Sequence, residues 1–249
     1  MKEAALTIDG LSVAFAGFKA VDNVSTVVEK GEIRVILGAN GAGKTTLMDL
    51  VSGKTQPTSG HVYIGDRDVT GLDEHKIARA GLGRKFQIPS VFRELTVRQN
   101  LKVAGAPALG VLANLRLAYP RETLRRIDDV LELIGLSDKA DAEAGILSHG
   151  ETQWLELGIL ITQNPAVILL DEPTAGMTEV ETMRTAAIIN EMRHDHTIVA
   201  VEHDMAFVKE IASRITVMHL GKIIAEGSVA AIEANAAVRD AYLGSKGII

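Results

Sequence analysis

The residues Gly38, Ala39, Asn40, Gly41, Ala42, Gly43, Lys44 and Thr45 follow the pattern G-x-x-x-x-G-K-[ST]. Glycines at this spacing let successive backbone N–H groups converge on one centre and form an anion nest. A helix that opens directly after the loop adds the positive end of its dipole. In such a loop Lys44 reaches the terminal phosphates and the Thr45 hydroxyl ligates Mg²⁺, with Thr46 as a further donor. A plain glycine-rich turn between strand and helix explains the glycines but not the Gly-Lys-Thr. The spacing also fails the G-x-G-x-x-G of a dinucleotide site. The chemistry implied is the binding of a nucleoside triphosphate.

A second group of reactive residues is acidic. Val167 to Leu170 is a short apolar run that ends in Asp171 and Glu172. As a buried strand it delivers both carboxylates to its carboxyl end, where open α/β sheets bind ligands. Asp171 suits the carboxylate on the Mg²⁺ side, and Glu172 the polarisation of an attacking water. Two solvated acids after a strand would be unremarked alone; beside the phosphate loop they point to hydrolysis. His203 follows a similar apolar run, Thr197 to Val201, and from that position could contact a γ-phosphate. His194 and His196 lie in the polar stretch Arg193-His-Asp-His and read as a solvated connection.

A third group sits at the start of a helix. Ser148 and Glu151 in Leu147-Ser-His-Gly-Glu have the S-x-x-E spacing of a capping box. The same helix start, with His149 and Gly150, could equally present N–H groups to a phosphate. Residue chemistry leaves both readings open.

The elements that must hold these groups follow from periodicity. Ile33 to Leu37 is a strand that feeds the phosphate loop, with a helix from about Lys44 to Ser52. The continuous apolar runs at 167–170 and 197–201 suit strands buried on both faces of a parallel sheet. Residues 5–13, 24–28 and 61–64 are β-prone and separated by turn residues such as Lys30-Gly31 and Ser59-Gly60, which predicts an antiparallel layer. Leu124, Ile127, Leu131 and Ile134 recur at steps of three and four, giving a helix over 120–134 stopped by Gly135. A helix over 149–163, a further helix from Asp204 to about Ser213, and a hairpin around Leu220-Gly221 complete the outline.

The chain has 249 residues, of which 47% are hydrophobic and 23% charged. That balance excludes disordered and collagen-like classes. A net charge of −6 argues against a dedicated nucleic-acid binder. Without cysteine, disulfides, thiolate metal sites and cysteine nucleophiles are excluded. No apolar run approaches the roughly 18 residues of a membrane span, and the opening MKEAALTIDG lacks the apolar stretch of a signal peptide. The expectation is a cytoplasmic protein that meets a membrane only through partners.

Taken together, the phosphate loop, Gln87 within Gly83-Arg-Lys-Phe-Gln, Leu147-Ser-His-Gly-Glu151, Leu-Leu-Asp171-Glu172-Pro and His203 stand in the order found in ATP-binding cassette (ABC) ATPases, and the chain resembles that family throughout. The resemblance implies an α/β fold: a RecA-like P-loop core sheet, an antiparallel β layer and an inserted helical subdomain at about 88–160, all within one domain of residues 1–249. It implies ATP and Mg²⁺ as ligands, with Thr45, Gln87 and Asp171 on the metal side. Glu172 matches the catalytic base, His203 the switch histidine, and Phe15 the aromatic on adenine, with Phe18 as the competing choice. Ser148, His149, Gly150 and Glu151 match the signature segment, which faces the phosphate loop of a second ATPase subunit.

The implied partners are that second subunit (identical or a sister chain), transmembrane permease subunits and, indirectly, an external solute-binding protein. The implied place is the cytoplasmic face of the cell membrane. Two departures stand out: His149 and Glu151 occur where the signature usually reads Leu-Ser-Gly-Gly-Gln, and Pro173-Thr-Ala-Gly-Met-Thr178 replaces the usual Ser-Ala-Leu-Asp stretch. These departures resemble importers of urea and short amides, with importers of branched-chain amino acids as the alternative. A non-transport ABC ATPase is disfavoured by the single cassette, and a GTPase by the lack of Asn-Lys-x-Asp. Val91 and Phe92, next to Gln87, either form a docking surface for a membrane subunit or close the local core.

Overall fold

The computed structural model describes residues 3–85, 91–105 and 119–243. These fall into two compact units: Met1–Arg84 with Pro165–Pro173 and Ile189–Ile249, and Lys85–Asn164 with Thr174–Ile188.

The first unit opens with a long hairpin, β1 (Ala4–Phe15) and β2 (Phe18–Glu29), paired antiparallel from Ala4↔Glu29 to Phe15↔Phe18. Leu6 and Ile8, then Leu11 and Val13, are buried on β1; the period of two slips by one residue between the pairs, where the β1–β2 register also shifts. The strand β4 (Ser59–Ile64) pairs with β1, and β5 (Arg67–Asp68) with β4, giving the order β2-β1-β4-β5. Ser59 and Gly60, expected in a turn, instead begin β4, where Gly60 lies so close to Gly10 that a Cβ has no room.

The other sheet has six strands in the order β10-β9-β3-β8-β7-β6. Its centre is β3 (Ile33–Leu37), β8 (Thr197–Val201) and β7 (Val167–Asp171), mutually parallel and buried at every residue. That is the burial expected of β-branched runs covered on both faces. The edges are β6 (Leu82–Lys85) on one side and the antiparallel pair β9 (Arg214–His219) and β10 (Lys222–Gly227) on the other. Core side chains from both sheets meet α1 (Lys44–Val51), whose Leu47, Met48, Leu50 and Val51 are buried. Register decides the rest: Ile36 lies opposite Val201, and Val201 opposite Asp171. The carboxyl ends of β3, β8 and β7 therefore lie side by side.

One charged residue of β3 is buried without cost to pairing. Arg34 donates to Glu32, Glu226, Thr26, Thr216 and the Val27 carbonyl. Correcting the sequence expectation, His196 is buried and not part of a solvated loop; its Nδ1 donates to the Pro165 carbonyl at 2.7 Å. Only His194 of that pair is exposed. The helices α2 (Glu74–Arg79), α7 (Met205–Ile211), α8 (Val229–Glu233) and α9 (Ala236–Leu243) complete this unit.

The second unit is helical. It contains α3 (Val97–Ala104), α4 (Arg121–Ile134), α5 (His149–Gln163) and the start of α6 (Glu179–Met192). Ile127, Val130, Leu131 and Ile134 are the buried stripe of α4, and Gly135 ends it at φ 72°. The three helices α3, α4 and α5 meet at Gly158, where a Cβ would stand 2.8 Å from Ile134 and 3.2 Å from Leu101 and Val130. Close helix approach thus depends on that glycine. Among the described residues no helix is long and apolar enough to cross a membrane.

Candidate active site

The carboxyl ends of β3, β7 and β8 carry the phosphate loop, Asp171-Glu172 and His203 respectively. In the loop, Gly41 and Gly43 hold φ values of 80° and 101°, a left-handed conformation that favours glycine. Gly43 has a second constraint: a Cβ there would lie 2.5 Å from the Ala20 carbonyl oxygen. The loop is also pinned by Gly221 N–H donating to the Ala42 carbonyl at 3.0 Å. No side chain caps α1, whose N-cap is Gly43 itself.

Lys44 lies folded over its own loop, its Nζ donating to the carbonyls of Gly38 (2.6 Å) and Ala39 (3.1 Å). Burial pulls its ammonium below the ordinary lysine value, partly offset by the negative charges of Glu172 and Asp171. Thr45 is exposed and Thr46 half-buried at the helix start.

Asp171 is only 3% exposed. Burial pushes its carboxyl above the ordinary aspartate value; the Arg84 guanidinium opposes this, while Glu172 and Asp49 add to it. Its Oδ1 has no hydrogen-bond partner, and its Oδ2 stands 3.6 Å from Arg84 Nη2. Among the described residues there is no cluster of three or more metal-ligating side chains. The buried, unpartnered Asp171 oxygen is donor chemistry that fits a hard cation such as Mg²⁺.

Glu172 holds φ at 46°, in the left-handed region rarely used by side-chain-bearing residues. Its N–H donates to the Val201 carbonyl at 3.0 Å, which ties the strained residue to β8. Strain of this kind costs on the order of 1–3 kcal/mol and clusters at functional sites. The His203 ring is 68% exposed, with Nδ1 3.8 Å from Glu172 Oε1 and 3.9 Å from Glu202 Oε2. The buried Glu202 carboxylate also accepts the His203 backbone N–H at 3.1 Å.

Phe15 and Phe18 face each other across the β1–β2 turn and are 49% and 64% exposed. Both remain available to stack on a base. Gln87 lies outside the described residues. Val91 is half-buried and Phe92 exposed, so Phe92 does not close the local core.

In the second unit, Ser148 forms the capping box that its spacing predicts. Its Oγ accepts from Glu151 N–H at 3.2 Å, and Glu151 Oε2 accepts from Ser148 N–H at 3.0 Å. Burial works to raise the Glu151 carboxyl, but hydrogen bonds from Lys139 (2.5 Å) and the Ser148 backbone outweigh it and hold it low. His149 Nε2 donates to the Ala175 carbonyl at 3.0 Å. Gly150 is buried against the Glu181 side chain, whose carboxylate would have to shift to admit a Cβ. The departures from the usual signature thus have structural partners within this unit.

Sequence reasoning missed Arg84. Its side chain is 6% exposed and reaches Asp49 and Ser52 of α1 as well as Asp171. Its place beside Lys85 in the short strand β6 gives no local sign of burial.

Fold and geometry define a phosphate-loop nucleoside triphosphatase. The family model described as ABC transporter matches residues 21–175, and one described as branched-chain amino acid ATP-binding cassette transporter matches residues 222–247. The high-affinity branched-chain amino acid transport ATP-binding protein LivG of Salmonella typhimurium is 38% identical, over 98% of this chain and 99% of its own. BraF of Pseudomonas aeruginosa, of the same description, is 36% identical over the same shares. The crystal structure of the ADP conformation of MJ1267, an ATP-binding cassette of an ABC transporter, aligns with TM-score 0.85 and 30% identity, covering 98% of this chain and 100% of that one. This chain belongs to the ABC transporter family and is an ATP hydrolase of that type.

Proposed function

We propose that the chain is the ATP-hydrolysing subunit of an importer of branched-chain amino acids. The reading rests on likeness along the whole chain to LivG and BraF, whose names state that transport. It replaces urea and short amides, an assignment that rests on the resemblance of the short segments around His149, Glu151 and 173–178. Motifs of that length lie in the nucleotide machinery and touch no transported solute, so they weigh less than likeness across the chain.

The observation that carries the catalytic part is the alignment of the β3, β7 and β8 ends, which brings Lys44, Asp171, Glu172 and His203 to one edge. In this reading Gly38, Ala39, Asn40, Gly41, Ala42 and Gly43 supply backbone donors to the phosphates. Lys44 exchanges its two loop carbonyls for phosphate oxygens. Thr45, Asp171 and Gln87 would hold Mg²⁺, which would supply charge neutralisation of the phosphates when bound. Glu172 accepts a proton from the attacking water as its oxygen bonds to the γ-phosphorus and the β–γ bridge breaks. His203 donates to the γ-phosphate, and Phe15 stacks on adenine. Ser148, His149, Gly150 and Glu151 close the site of a second ATPase subunit.

Partners follow from the same likeness: permease subunits in the membrane, a sister or identical ATPase, and an external solute-binding protein. Exposed Phe92 supports docking of a permease subunit at that residue. The test is to co-purify the membrane subunits, reconstitute them in vesicles and measure ATP-dependent uptake. Uptake of leucine is expected; uptake of urea without leucine would overturn the solute assignment, and uptake of neither would overturn both.

A further inference from the structure

We propose that Arg84 is a positioning residue for Asp171: its guanidinium engages Oδ2 and leaves Oδ1 turned to the nucleotide-bound cation. This rests on the reading of Asp171 as the metal-side carboxylate. The geometry is a buried chain of charges running across the first unit. Arg84 Nη1 lies 2.7 Å from Asp49 Oδ1 and donates to Ser52 Oγ at 2.7 Å, while Nη2 lies 3.6 Å from Asp171 Oδ2. Asp49 and Ser52 belong to the helix that the phosphate loop opens, or to its cap. One planar guanidinium therefore references the metal carboxylate to the same helix whose start holds the phosphates. Lysine cannot do this, since a point charge lacks the fork that reaches two carboxylates in fixed directions.

The second observation is the unpartnered oxygen. Asp171 Oδ1 is buried and accepts no hydrogen bond, although the carboxylate as a whole is held by Arg84. Leaving a buried acceptor unmet is costly, and such atoms in native structures call for a ligand or a role. With Oδ2 taken by a cation from below, the two oxygens are no longer equivalent. Outer partners of this sort orient first ligands, and their loss typically lowers metal affinity by about 10–100-fold.

The test separates metal support from simple structure. ATP affinity is measured by equilibrium dialysis in Mg²⁺ and in EDTA, with the EPR spectrum of Mn²⁺ bound in the presence of ATP as an independent readout. For Arg84→Gln the Mg²⁺-to-EDTA affinity ratio should fall by about tenfold or more, with the EDTA value and the melting temperature near wild type and a changed Mn²⁺ spectrum. Arg84→Lys should fall between the two. If Arg84→Gln does not fold, Asp49→Asn with Arg84→Gln removes the charge and its counter-charge together and takes its place. An unchanged ratio and spectrum in the folded variant would overturn the proposal. Asp171→Asn tests the underlying reading separately: if it too keeps the ratio, Asp171 is not the metal carboxylate and that reading fails first.

Discussion

Two helix starts in this molecule are candidates for phosphate, and they are built in opposite ways. At α1 the N-cap is a glycine at φ 101°, no side chain caps the helix, and no acidic residue occupies the first turn. At α5, Ser148 and Glu151 satisfy each other's backbone donors, and Glu151 is an acid in the first turn, paired with Lys139. Backbone N–H groups at a helix start seek an acceptor. At α1 the fold supplies none from a side chain, so a ligand completes it. At α5 the cap is complete within the unit, so a phosphate there would be an addition, supplied in the proposed function by a second subunit. The contrast explains why one motif announces nucleotide binding from sequence and the other reads equally well as a cap.

The sharpest way to break the comparison is Ser148→Asp. Aspartate caps as well as serine, so the melting temperature should hold, while a like charge brought against γ-phosphate costs several kcal/mol. Hydrolysis should fall about 10²–10³-fold. Intact hydrolysis would leave Ser148 a cap and nothing more. At the other helix, Lys44→Met removes a charge-assisted donor worth about 1.5–3 kcal/mol, so ATP should bind about 10–100-fold more weakly in dialysis. Undiminished binding would remove Lys44 from the phosphate site.

The smallest effect concerns pH. The Glu151 carboxyl is held below its ordinary value in the fold, against burial, by Lys139 and the Ser148 N–H. A depressed carboxyl stabilises the fold above its unfolded value of about 4.3, and that contribution is lost as pH falls through the folded value. Glu151→Gln should therefore melt below wild type at pH 7, with the gap closing as the pH is lowered past 4. A gap that stayed constant would mean the carboxylate charge contributes nothing there.

Much of the site was legible because it depends on local rules. A glycine pattern needs only the chain to turn, and apolar runs ending in Asp171-Glu172 or His203 need only a buried strand. The antiparallel layer and α4 were legible from periods of two and three-to-four. What escaped depended on distant partners. His196 sits among polar neighbours in sequence, yet Pro165, 31 residues away, accepts from its ring. Arg84 and Lys85 make β6 read as a solvated stretch, whereas in the fold their side chains are buried against acids distant in sequence, among them Asp49, Asp171 and Glu156. The helix α6 hid its period, because Val180 and Met183 are exposed while Ala186, Ile188, Ile189 and Met192 are buried. The role of His149 became visible only when Ala175 was placed beside it.

The central claim is that this edge of the sheet hydrolyses ATP with Glu172 as the base. Glu172→Gln keeps the shape of the side chain and removes its ability to take a proton. ATP binding measured by dialysis should stay near wild type while phosphate release falls by about 10²-fold or more, leaving the protein paired and ATP-bound on gel filtration. Phosphate release at the wild-type rate would contradict the account.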